Sequence, residues 1–599
     1  MYYPQVAEDN NTRNLIDTWL GYNHNYRVNN GEFYDMENLT SDNFPLLTPR
    51  KIRPLLAEGE NIRGLVYSDN NICYLEGDTL HYSMQEIDLA PFMDEPGGAE
   101  EQMLIRFGAY ILLFPLGIYV NIYDPADSGN MRTRFDAEVD TKITYSICDL
   151  EGKDYENVVA SDTAPEDPAD GMYWLNTGEN SGLNIWYDAK GMWQPVATCY
   201  IRIQVEGADL TQYFAVDDTV TMNTTLPDIN AGSQIQAMGT DYIVVIGIIP
   251  DAVTKEIVTS SAWTLRMERK LPALDYVCAD KNRVWGCHYG YSEEGEMINE
   301  IYCSKLGDFK NWYTYKGIST DSYAVSVGVP GEWTGCISFQ GYPTFFKENA
   351  IFRIYGSYPA EYQVIQNDCR GVQQGSYKSL AVVNEYLFYK SASDVVVYDG
   401  STPVSISEAL GRDAMYYDAV GGGCLNKYHL VMQTAIGRRY YFVYDTQHGI
   451  WEKESALPII QFSATENGQL YAVTSDKLYG LGSTDNIAFA NDLIGEEWVE
   501  WYAQTGEMGY ETPDSKYVSK LSIRAYIPFR SEVQVQISYD DRPFEDVGLL
   551  RGDDNIASQK LDIVPMRCDH YRILFKGHGD CRIYTMAISL ENGSDEYGY

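Results

Sequence analysis

From residue 61 onward the chain repeats itself loosely, and the repeat governs any reading of its architecture. A turn holding Asn, Asp or Gly leads into a short aromatic-aliphatic strand; a second turn and strand follow, often closing on Tyr-Asp or Tyr-Gly. Examples are Ser68-Asp-Asn-Asn-Ile-Cys-Tyr-Leu, Phe107-Gly-Ala-Tyr-Ile-Leu-Leu-Phe, Asp280-Lys-Asn-Arg-Val-Trp-Gly-Cys and Asn349-Ala-Ile-Phe-Arg-Ile-Tyr-Gly. Others are Asn384-Glu-Tyr-Leu-Phe-Tyr-Lys, Asn426-Lys-Tyr-His-Leu-Val-Met and Glu466-Asn-Gly-Gln-Leu-Tyr-Ala-Val. Between 274 and 485 the spacing is roughly 35–45 residues, the length of a four-stranded propeller blade. Strands apolar on both sides suit a sheet covered on both faces. The sequence predicts a mainly β chain, a β-propeller of six or seven blades. A generic run of antiparallel hairpins is the plain alternative.

Outside the repeat the chain divides further. Residues 1–60 read as an extended N-terminal arm, because Pro45 and Pro49 oppose a helix. The arm must lie against its own propeller or a neighbouring molecule, so Phe33, Tyr34, Phe44, Pro45, Pro49 and Arg50 are candidate oligomer contacts. Residues 61–130 hold the first blades and 271–490 the rest. Between them, 131–270 breaks the repeat as an inserted β-rich region. Its Pro/Asp/Gly-rich stretch from Thr163 leads into a small hairpin module built on Trp174, Trp186 and Trp193. The segments from Tyr200, Phe214 and Tyr242 read as strands of a small barrel. Residues 491–599 alternate with period two, as in a β-sandwich with one face exposed.

The chain has 86 acidic and 44 basic residues, a formal net charge of −42. Phosphate binding needs clustered Lys and Arg, and the longest basic runs are only Arg50-Lys51 with Arg53, and Arg438-Arg439. The acidity serves solubility, or makes a wall that DNA passes without sticking. Eleven scattered cysteines without a C-x-x-C pair read as reduced, mostly buried thiols made in a cytoplasm. The N-terminus does not read as a signal peptide, and the apolar run from Ala109 to Tyr123 is too short to span a membrane, so no membrane insertion is expected.

Catalytic and metal signatures are missing from the sequence. The seven histidines hold no H-x-x-x-H pair. Cys568, His570 and His578 do not match a zinc spacing. There is no phosphate-binding loop, no nucleophile elbow and no dinucleotide fingerprint. Gly421-Gly-Gly423 reads as a loop, and Asp540-Asp541 and Asp553-Asp554 as turn residues. Ser304-Lys-Leu-Gly-Asp308-Phe-Lys-Asn-Trp312 approaches the turn motif of sialidases but orders Gly and Asp differently. It reads as a hairpin corner with Trp312 packed between blades. No catalytic residue, metal site or cofactor is expected, and the chain reads as a non-enzyme. Trp186, Tyr187 and Trp193 are candidate glycan or partner contacts, with the module's own small core as the simpler role for the rings.

The run from Met267-Glu-Arg-Lys-Leu-Pro through Lys281-Asn-Arg-Val-Trp-Gly-Cys to Asn299-Glu-Ile-Tyr-Cys-Ser resembles the propeller segment of bacteriophage tail and neck proteins of the packaged-DNA stabilisation or tail-nozzle type. The arm from Gly31-Glu-Phe-Tyr-Asp-Met-Glu to Phe44-Pro-Leu-Leu-Thr-Pro-Arg is similar to their N-termini. Ala164-Pro-Glu-Asp-Pro-Ala-Asp-Gly-Met-Tyr-Trp resembles a small module common in phage structural proteins. The resemblance covers 1–60, 164–200 and 267–490. It implies a virion protein made in a bacterial cytoplasm, assembling as a homo-oligomeric ring around the DNA channel. Partners would be a portal, adaptor or other tail proteins, and double-stranded DNA passing without tight binding. The alternative is a host-surface glycan-binding tail-tip or fibre protein, with a propeller glycan hydrolase behind it.

Overall fold

The computed structural model describes residues 11–68, 71–83, 85–93, 102–178, 181–292, 295–465, 468–482, 496–509, 515–552 and 554–592. The expected turn residues Asp69, Asn70, Glu466, Asn467 and Asp553 lie outside them. The chain is mainly β, with a few single 3-10 turns and, among the described residues, no α-helix. It carries a β-propeller with an extended arm, an inserted β-domain and a C-terminal sandwich.

Seven runs of four hydrogen-bonded strands form the blades; six of them keep chain order, and blade six continues into a ten-stranded sheet. Blades one and two begin at Ile62–Ser68 and Met103–Phe107, and blades three and four at Tyr276–Asp280 and Gly335–Phe339. Blades five and six begin at Ala381–Val383 and Tyr416–Cys424. Blade seven has three strands from Gln461–Ala464 to Lys477–Gly482; its fourth, Leu55–Glu58, comes from the arm. A sheet edge left unpaired is a template for aggregation, and this returning strand covers one. The blade strands are apolar on both sides. Tyr342–Lys347 and Tyr386–Lys390 bury all but their first residue, as sheets covered on both faces require.

The chain divides into two compact units. One comprises Met1–Asp88, Phe346–Ile351 and Asn367–Tyr599. In it the C-terminal sandwich faces two sheets across one core. Val518, Leu521, Ile523, Ile583, Met586 and Ile588 come from one side, and Val533, Val535, Ile537, Ile573 and Phe575 from the other. The arm supplies a strand to each sheet. Asn11–Ile16 pairs with Arg582–Asn592, and Glu32–Glu37 with Glu500–Thr505.

The other unit comprises Leu89–Phe345 and Phe352–Gln366. Between its blades two and three lies a barrel. The chain over 133–148 pairs along 254–269, and the ladder continues through Thr219–Met222, Ser233–Met238, Tyr242–Ile246 and Tyr200–Val205 back to Lys142–Cys148. Only Thr133–Asp136 and Thr254–Val258 are paired on a single side, so little edge is left open. The stretch read as a strand from Phe214 opens instead with a turn, and its strand starts at Thr219. Trp312 is buried with Leu112, Phe114, Val284 and Tyr302, so it packs between blades two and three.

Candidate functional site

The arm is built into the fold by residues suited to nothing else. Gly21 has a positive φ, and a Cβ there would stand 2.4 Å from the Trp451 carbonyl oxygen, so only glycine lets the arm reach blade six. Gly21–Tyr22 then pairs with Ile450–Glu454 on one side and Glu32–Glu37 on the other. One ten-stranded sheet therefore runs from blade six through the arm into the sandwich. Phe33 is fully buried and stacks on Trp19 at 5.4 Å. Arg50 is buried too. It grips both Glu496 carboxylate oxygens at 2.6 and 2.8 Å and donates from Nε to Asn38 Oδ1 at 2.8 Å. Beside it, Arg53 reaches Glu454 at 2.6 Å. Burial alone would raise the Glu454 carboxyl, but the Arg53 and Arg50 guanidiniums outweigh it and bring it down to about 2.

The predicted arm residues therefore part company. Phe33 and Arg50 are engaged inside the chain, and Pro49 sits in a short strand paired with Leu39. Pro45 accepts a hydrogen bond from the Trp19 amide. Phe44 stays 36 % exposed, stacked on His448 at 4.1 Å. Tyr34 is half-buried and faces a cleft.

That cleft, about 620 Å³, has walls from arm residues 23–27, the loop over 406–413 after blade five, and blade six. His24 stacks on Tyr34 at 4.3 Å and lies parallel to Tyr22 at 5.8 Å. Its Nδ1 is 2.9 Å from the Tyr34 carbonyl, which can only accept, so Nδ1 carries the proton. Nε2 faces Asp413 at 3.6 Å. The backbone holds the ring in place: His24 N donates to the Ala409 carbonyl at 2.8 Å, and Asn25 Nδ2 to that of Glu408 at 3.0 Å. Gly411, at φ 80°, passes so close that a Cβ would meet the His24 carbonyl at 2.6 Å. Trp451 closes the floor with its indole N–H on the Ile406 carbonyl at 2.7 Å. Arg27, Arg412 and the 96 % exposed Tyr26 also line it. The arm stands out in the sequence, and this cleft does not. Its far wall lies almost four hundred residues away, and no spacing rule joins the two.

The inserted module is a four-stranded sheet in which Val158–Ser161, Tyr173–Asn176, Gly182–Tyr187 and Met192–Pro195 lie side by side. Leu175 and Leu183 point into the barrel core and are buried. By alternation Trp174, Trp186 and Trp193 take the other face. Trp186 and Trp193 are directly paired, with centroids 5.4 Å apart, and Trp174 lies 5.6 Å from Trp193. Their N–H groups are partly spoken for, Trp174 by Ser161 and Trp186 by Asp188. Tyr187 is exposed with the Lys190 ammonium over its ring. The rings pack on one another outside the barrel core.

Cys568, His570 and His578 do not meet. His578 lies at the far end of the strand Tyr571–His578 and approaches the Arg530 carbonyl, while the Cys568 thiol faces the Lys516 carbonyl. His570 instead shares a corner with Glu507 and Asp541 within ligand reach of one another, but the Arg572 guanidinium already bonds both carboxylates. The eleven cysteines are thiols, and burial pushes that of Cys73 up to about 12.

No family model and no curated protein matches the chain. Among solved structures it is similar to a streptogramin B lyase (8 % identity, 73 % of this chain and 97 % of that one, TM-score 0.29). It is also similar to an exo-β-1,3-galactanase from Phanerochaete chrysosporium (8 %, 52 % and 94 %, TM-score 0.20). A third is PorZ, a surface component of the type-IX secretion system of Porphyromonas gingivalis (12 %, 85 % and 71 %, TM-score 0.24). These likenesses are too distant to bring a function or a residue with them.

Proposed function

We propose that the chain is a non-catalytic structural protein of a bacteriophage virion, a tail or neck component that assembles into a ring around the DNA channel. What supports this reading is the arm. The arm, which resembles the N-termini of phage tail and neck proteins, supplies Gly21–Tyr22 and Glu32–Glu37, the two strands that join blade six and the sandwich into one continuous sheet. Separating them would break these paired strands together, and the arm is held further by buried Arg50 on the partly exposed Glu496. Such a body suits a part that must transmit force without coming apart. Of the predicted arm contacts, Phe44 is the one that stays exposed beside this seam, where it would meet a neighbouring copy. A closed ring needs one patch to meet a different patch on the next copy. The test is mass spectrometry of purified particles from cultures that produce the chain, with electron microscopy of the recombinant protein alone and with its portal. Several copies per particle and closed rings are expected. Absence of its peptides from intact particles overturns the reading.

A second reading, a host-surface glycan-binding protein, is favoured by the three indoles gathered on the outer face of the inserted module. Binding of the protein to host cells that is lost in Trp186→Ala and Trp193→Ala would select it.

A further inference from the structure

We propose that the cleft around His24 is a binding site for a saccharide carrying an acid group. The inference goes beyond the structural role and does not rest on it. Three observations converge. First, the cleft holds two guanidiniums, Arg27 and Arg412, which make no ion pair among the described residues, although Glu408 and Asp413 line the same walls. Two exposed guanidiniums in one concavity supply the charge-assisted donors that a carboxylate takes. Second, the neighbouring polar groups supply both hydrogen-bonding senses at fixed positions. With Nδ1 committed to the Tyr34 carbonyl, His24 Nε2 accepts when the ring is neutral and donates when it is charged. The carboxylates of Asp413 and Glu408 accept. Interleaved donors and acceptors are what vicinal hydroxyls require. Third, aromatic rings line the cleft: half-buried Tyr34 stacked on His24, and Tyr26 almost fully exposed, above the buried Trp451. Flat rings beside polar groups fit the C–H face of a sugar, and a bare phosphate has no use for them.

The site is also rigid. Three backbone-anchored hydrogen bonds fix His24, Asn25 and Trp451, and the close approach of Gly411 leaves no slack behind His24. A preformed cleft of about 620 Å³ has room for one or two sugar rings.

The experiment is titration calorimetry of the full-length protein with glucuronate, N-acetylneuraminate, glucose and inorganic phosphate. Glucuronate or N-acetylneuraminate should bind, and glucose should bind about tenfold more weakly for want of the charge-assisted contacts. Arg27→Gln and Arg412→Gln should each weaken the acid sugar about tenfold, with unchanged melting temperature because both side chains are exposed. Equal binding of glucose and glucuronate overturns the proposal, as does unchanged affinity in the double variant. Failure of both acid sugars to bind overturns it too, and so does phosphate binding as tightly as they do, which would reduce the cleft to a simple anion site. None of these outcomes bears on whether the chain is found in virions.

Discussion

At the scale of single residues, the seam between arm and blade six is held by buried charge, and that makes it sensitive to acid. His429 is buried in the seam with its Nδ1 2.9 Å from the Tyr441 hydroxyl. Burial, only partly offset by Glu454 and reinforced by Lys427 and Arg53, lowers its pKa from 6.5 to about 4. The unfolded chain takes up a proton on this ring near pH 6.5, the folded chain only near pH 4. Between those values the unfolded state binds more protons, so the stability due to a neutral His429 is complete above pH 6.5 and is lost as the pH falls toward 4. The shift amounts to about 3 kcal/mol over that window. Urea unfolding of the wild type from pH 7 to pH 4 should show a falling midpoint, and His429→Gln should flatten the slope whatever its effect at pH 7. An equal slope in the variant would remove His429 as the cause. Glu454 contributes in a lower window: its folded carboxyl titrates near 2 against an ordinary 4.5, so its share is present above 4.5 and disappears as the pH falls through 2.

At the scale of elements, the arm shows how much pattern alone can convey. Pro45 and Pro49 correctly speak against a helix, and the aromatic residues correctly speak of something to pack on. Whether the partner was the chain itself or a neighbour could not be read, because Phe33 and Phe44 look alike in sequence. Strand pairing separates them: Phe33 turns into the sandwich core against Trp19, and Phe44 stays at the surface. Phe33→Ala should therefore destabilise the protein by about 3–5 kcal/mol, the usual loss for a buried aromatic. Phe44→Ala should cost less than about 1 kcal/mol and show its effect in assembly. Thermal melting with mass photometry reads both, and an equally large loss in Phe44→Ala would place that ring in the core. The inserted module divides the same way. Leu183 fills the barrel and Trp186 does not, so Leu183→Ala should lower stability by about 2–5 kcal/mol while Trp186→Ala leaves the barrel's unfolding nearly unchanged. The alternation that decides this, inward Leu175 and Leu183 against outward Trp174, Trp186 and Trp193, was present in the sequence. The tryptophans stand out in the sequence, but the barrel they turn away from closes only through pairing between residues 133–148 and 254–269, far apart in the chain.

At the scale of the whole molecule, the repeat was legible because a blade is a local object: four strands in chain order, each turn marked by Gly, Asn or Asp. The exceptions are the non-local joins, the fourth strand of blade seven and the two arm strands between blade six and the sandwich, which nothing in the local pattern announces. Charge is the other whole-molecule property, and the fold sharpens what it means. Of the two longest basic runs, the one around Arg50 and Arg53 is turned inward, and Glu496 and Glu454 neutralise it. It offers nothing to a phosphate backbone. Each of these pairs takes one acid out with one base, so the surface keeps the full excess of negative charge, −42, and a duplex approaching it meets repulsion over about 8–10 Å. If the proposed ring guides DNA, it does so by keeping the duplex off its walls. The protein should then fail to retard double-stranded DNA in a gel even at about 50 mM salt, where phosphate contacts are strongest. Retardation that weakens steeply as salt rises would reveal a basic track on the assembled surface and would turn the proposed role from a passive wall into a grip.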